Sequence, residues 1–105
     1  MSQFDYYANP NPYSCEWAPY IVDLQHEMLS SLNTRIMAPL VLSKLAGEPT
    51  VQRLNPIVTI EEQTYFLSTA EMASVPLKEV TDCVGNLSEC RGELLAAVDL
   101  LFTAV

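Results

Sequence analysis

Hydrophobic and polar positions change period along this chain, and the clearest helical period lies between Asn86 and Val105. There Leu87, Cys90, Leu94, Val98, Leu101 and Val105 recur at three- and four-residue spacings, which stacks them on one face of a helix. Asn86 is placed to cap the first turn with Glu89 reaching back to it, and Ser88 is a rival cap. Gly92 inside the segment should cost about 1 kcal/mol relative to Ala, so packing must hold this helix. Asp99 is the last charged side chain before Leu100-Leu101-Phe102-Thr103-Ala104-Val105, with no Gly, Asn, Lys or Arg to satisfy the final carbonyls. Leu100 falls beside Glu89 and Glu93, opposite the apolar stripe. Two readings stay open: the tail packs on its own sheet or in a dimer seam, or it is a terminal probe for a partner.

The rest of the chain alternates with the period of two that marks strands. Residues 3–8 read as a half-buried strand, ended by Asn9-Pro10-Asn11-Pro12, and Trp17 to Leu24 as a second. Between Gln25 and Asn33 the chain is polar except for Met28-Leu29, which either tuck under the turn or form an interaction site. Thr34 to Leu42 reads as a third strand with Pro39 marking an edge or bulge, and Val41 to Ala46 can twist into a helical turn. Ile57–Ile60 and Thr64–Leu67 flank Glu61-Glu62-Gln63 as an acidic-tipped hairpin. Residues 72–80 are mostly extended with an edge proline at Pro76, and 81–85 link to the helix. The expected fold is therefore α+β and mainly antiparallel β, a small barrel-like sheet closed by one C-terminal helix.

Composition narrows the function. The 105 residues make one domain, 1–105, with a single modest core. No apolar run approaches the length of a membrane span, and no signal peptide opens the chain. Thirteen acidic against five basic side chains give a formal charge of -8, which leaves no basic footprint for nucleic acid, so proteins are the expected partners. The three cysteines, Cys15, Cys83 and Cys90, form no Cys-x-x-Cys, and reduced thiols in a cytoplasm fit them better than disulfides or a zinc site. No Gly-rich phosphate loop exists, and the lone His26 reads as a solvated turn residue. Glu61-Glu62 sits on a wet hairpin tip, which gives a carboxylate pair no buried site to work in, and Arg35 reads as half of a surface ion pair of little worth. Neither a catalytic group nor a metal or cofactor is expected.

Several segments, in order and spacing, resemble the CcdB family of bacterial toxins that poison DNA gyrase. They are Val22-Asp23-Leu24-Gln25, Thr34-Arg35-Ile36-Met37-Ala38-Pro39-Leu40, Pro56-Ile57-Val58-Thr59-Ile60 and, most closely, Met72-Ala73-Ser74-Val75-Pro76. The resemblance implies a homodimer with an SH3-like sheet core and two C-terminal helices side by side. It also implies a toxin that binds the gyrase A subunit, traps the gyrase–DNA cleavage complex and is neutralised by a CcdA-like antitoxin. The gyrase-contacting residues it implies are Met28, Leu29, Asp99, Phe102, Thr103, Ala104 and Val105. This chain departs from well-known members, which end in Trp-Gly-Ile and carry Asn where Asp99 stands. Two alternatives accompany the resemblance: a homologue that captures antitoxin without poisoning gyrase, and an endoribonuclease of the MazF type.

Overall fold

The computed structural model describes residues 2–47, 49 and 51–103. Its strands are β1 (Asp5–Ala8), β2 (Tyr20–Asp23), β3 (Thr34–Leu42), β4 (Ile57–Ile60), β5 (Gln63–Leu67), β6 (Ala73–Pro76) and β7 (Cys83–Asn86). A single turn of helix, α1 (Ser43–Ala46), follows β3, and α2 (Arg91–Thr103) is the long C-terminal helix. All pairings are antiparallel, in the order β4-β5-β3-β2-β1-β7, with β6 also on β3. The result is a curled half-barrel sheet closed by α2, the expected α+β class.

β3 organises the sheet because it is long enough to hold three partners. Its residues 34–37 pair with β6, 40–42 with β5, and 37–40 with β2 on the other side. Pro39 sits in the gap between β6 and β5, where its missing N–H is not required and its carbonyl takes the Ser68 N–H at 2.9 Å. It marks a change of partner in a central strand rather than a sheet edge.

Period-two alternation gives the sheet two apolar faces. Tyr6, Val22, Ala38 and Leu40 join Phe4, Val58, Tyr65, Leu67, Leu87 and Leu94 in the main core. Their neighbours Tyr7, Ile21 and Met37 form a second cluster on the opposite face, with Val75 and Val80 against it. Tyr6, Tyr20 and Tyr65 meet edge to face, with centroids 5.2 and 5.7 Å apart.

Three sequence expectations change. Trp17 lies outside β2, although its carbonyl accepts the Leu42 N–H at 2.8 Å. Residues 83–85, part of the expected 81–85 link, form with Asn86 the edge strand β7 on β1. A methyl group on Gly85 would come within 2.5 Å of the Tyr6 hydroxyl, so the ring lies over a bare backbone there. The third change concerns the start of the C-terminal helix. Asn86 accepts the Ser88 N–H at 2.7 Å, but a 3-10 turn at Ser88–Cys90 intervenes and α2 begins only at Arg91. Glu89 is exposed and makes no return bond among the described residues.

Candidate target-binding face

α2 forms because its interior, Gly92 apart, is rich in Leu and Ala, and because one stripe is buried. Leu94 and Ala97 are fully buried, Cys90 and Leu95 pack against the main core, and Val98 and Leu101 are half-buried. Leu100, expected on the wet face, is also half-buried. Beyond it the helix presents Asp99, Phe102 and Thr103 to solvent, and the Phe102 ring is 72% exposed. The Thr103 hydroxyl donates one turn back to the Asp99 carbonyl at 2.7 Å, a bond within the helix that leaves its last carbonyls uncapped by side chains among the described residues. Ala104 and Val105 lie outside the described residues.

The second patch is the turn after β2. A 3-10 turn, Glu27–Leu29, is capped by His26, whose Nδ1 accepts the Met28 N–H at 3.0 Å. The histidine is solvated, as expected, but it also shapes the turn. Met28 is 84% exposed and Leu29 48%, so they are not tucked beneath the turn. Leu32, which sequence reasoning passed over, is 49% exposed and extends the patch. α2 itself packs on the main core and on the 3-10 turn Thr69–Glu71.

The base of the Met28–Leu29 turn is tied to a fully buried ion pair. Arg35, expected at the surface, is fully buried, and its Nε meets Asp23 Oδ2, also fully buried, at 2.8 Å. Arg35 Nη2 donates to the Gln25 carbonyl at 2.6 Å, and the Gln25 N–H donates to Asp23 Oδ1 at 3.0 Å. The Gln25 side chain accepts the Ile36 N–H at 3.0 Å and reaches the Leu29 carbonyl at 3.5 Å. Burial pushes the Asp23 carboxyl above its ordinary value, while the Arg35 and Gln25 donors pull against it. The sign of Arg35's burial follows from β2–β3 pairing, which places Asp23 opposite Met37 and within reach of the guanidinium.

A groove of about 720 Å³ lies elsewhere, between the 9–17 loop and β6. Trp17, Ile21, Met37 and Val75 help to line it, and none of Met28, Leu29, Asp99, Phe102 and Thr103 does. Cys15 and Cys83 are exposed free thiols, and Cys90 is half-buried. Burial, with nearby carboxylates adding to it, pushes the Cys83 and Cys90 thiols up, so neither is an activated thiolate. Among the described residues no group of three or more His, Cys, Asp or Glu side chains is gathered for a metal, and no helix is long and apolar enough to cross a membrane.

A curled antiparallel sheet closed by one C-terminal helix defines a small protein of the α+β class. The family model described as CcdB protein matches residues 3–104, nearly the whole chain. The chain belongs to the CcdB family, the toxins of toxin–antitoxin systems.

Proposed function

We propose that this chain is the toxin of a type II toxin–antitoxin pair, acting in the cytoplasm as a homodimer. It binds the DNA gyrase A subunit, holds the gyrase–DNA cleavage complex, and is neutralised by a CcdA-like antitoxin. It works by binding and performs no chemistry of its own, without metal or cofactor, membrane contact or direct hold on nucleic acid. The contact residues are Met28, Leu29, Asp99, Phe102, Thr103, Ala104 and Val105. One observation carries this reading beyond family membership: Phe102 and Met28 are among the most exposed large apolar side chains, at positions the resemblance singles out. A C2 dimer would bring two copies of each patch to bear on one target.

The endoribonuclease alternative loses ground on charge. Of five basic residues, Arg35 is buried against Asp23. Arg91 lies 5.8 Å from the Phe4 ring centroid and bonds to Gln3 at 3.2 Å. Lys44, Arg53 and Lys78 are then a thin supply for an RNA groove and a phosphate transition state. The acidic surface further favours an antitoxin tail with apolar anchors and some basic residues.

The purified protein is incubated with gyrase and supercoiled plasmid, and separately with total RNA. Trapped double-strand breaks support the proposal, degraded RNA supports the MazF-type reading, and neither outcome leaves an antitoxin-capturing homologue. Light scattering that finds monomer at micromolar concentration counts against the dimer.

A further inference from the structure

Gln25 joins the Met28–Leu29 turn to the sheet, and it is fastened at both ends. Its N–H and carbonyl go to Asp23 and Arg35, while its side chain spans from the Ile36 N–H to the Leu29 carbonyl. The pair that anchors it is fully shielded from water. A buried ion pair is a poor source of stability, because desolvation cancels most of the attraction and an apolar pair of similar volume often serves as well. An apolar pair cannot, however, grip one particular carbonyl and one particular amide. That directional grip is what the arrangement adds, and it is applied at the foot of a turn whose own bonds are those of a 3-10 turn and a histidine cap. An apolar loop already ordered before contact avoids the ordering cost that otherwise weakens association.

We propose that Asp23, Arg35 and Gln25 are positioning residues that hold the Met28–Leu29 turn in its partner-ready shape, an inference that rests on the reading of this turn as part of the gyrase face. Asp23 and Arg35 are too buried to touch the target, so their effect must pass through the turn. The grip is specific in a way the charge is not. Replacing both partners by apolar residues removes the bonds to Gln25 while leaving no unpaired charge inside.

The test compares the double variant Asp23→Leu/Arg35→Met, Gln25→Ala and wild type by amide hydrogen exchange and by gyrase trapping. Val58→Ala, in the core on β4, serves as a control for lost stability alone. Expected is a tenfold or greater loss of protection at the Met28 and Leu29 amides, beyond any change at the Leu67 amide in the core. Trapping should weaken about tenfold in the same two variants, and Val58→Ala should trap normally once its folded fraction is matched. Protection at Met28 and Leu29 that is unchanged, or that falls only in step with Leu67, overturns the proposal. So does trapping that tracks stability across all variants, Val58→Ala included. If wild type does not trap gyrase, the target reading falls alone, and the exchange data still decide whether the network orders the turn. Should the double variant fail to fold, Arg35→Lys, which keeps a charge opposite Asp23 but loses the fork that reaches the Gln25 carbonyl, tests the backbone grip, and Gln25→Ala tests the side-chain ties to Ile36 and Leu29 by the same comparison.

Discussion

Replacing Phe102 by Ala separates a probing tail from a packed one. The ring is 72% exposed and belongs to neither core cluster, so the folded chain has little of it to lose. Alanine is also the better helix former, by some tenths of a kcal/mol. The two effects nearly cancel, and stability should stay within about 0.5 kcal/mol of wild type. Binding is different. Full burial of a phenylalanine is worth about 1.5–3 kcal/mol, and the exposed share still available to a partner corresponds to about 1–2 kcal/mol per copy. That is roughly a five- to thirtyfold loss, and its square if both copies of a dimer bear on the target. A thermal melt and a titration of gyrase cleavage-complex formation read the two quantities on the same preparation. A melting temperature lowered by several degrees, about 4–8 °C for each kcal/mol in a domain of this size, would show the ring packed in a dimer seam. Unchanged trapping with unchanged stability would remove Phe102 from the target face altogether.

Four further outcomes follow from the same structure. Thr103→Trp supplies a ring face that can stack on an arginine, so trapping should strengthen about two- to thirtyfold for a contact of about 0.5–2 kcal/mol; no change in the cleavage titration refutes it. Gly92 is exposed and a methyl there would touch nothing within 4 Å, so Gly92→Ala should stabilise by about 0.5–1 kcal/mol, read in a chemical denaturation midpoint. Gly85→Ala should destabilise by about 1–3 kcal/mol because the Tyr6 ring must move, and an unaltered melt would show that it does so freely. Burial pushes the Asp5 carboxyl up, but bonds from Asn86, the Ser2 backbone, Tyr7 and Cys83 outweigh it and hold the carboxyl below its ordinary value. The stability it contributes is therefore present above about pH 4 and lost as pH falls through the folded-state value, so Asp5→Asn should flatten the acid limb of melting temperature against pH. Parallel limbs for the two proteins would contradict this.

What local sequence determined, it determined through period and turn chemistry. β3 runs from Thr34 to Leu42 and α1 ends at Ala46 as the alternation and the loop residues require, and the β4–β5 hairpin forms where expected, although its turn is only Glu61-Glu62, both at positive φ, with Gln63 already in β5. Leu87, Cys90, Leu94, Val98 and Leu101 do face inward or partly inward, and Met28, Leu29, Asp99, Phe102 and Thr103 do face solvent. These outcomes depend on residues a few positions apart, where spacing alone sets which side a group takes. The tertiary structure decided what depends on distant partners. Arg35 is a charge in a strand and reads as surface until β2 brings Asp23, twelve residues earlier, against it. Cys83–Asn86 carries no alternation and becomes a strand because β1 offers it an edge and Gly85 leaves room for Tyr6. Leu100 gains partial cover that its helical angle did not imply. Periodicity is written in neighbours, but burial of a charge or pairing of an edge is settled by whatever the fold sets opposite it.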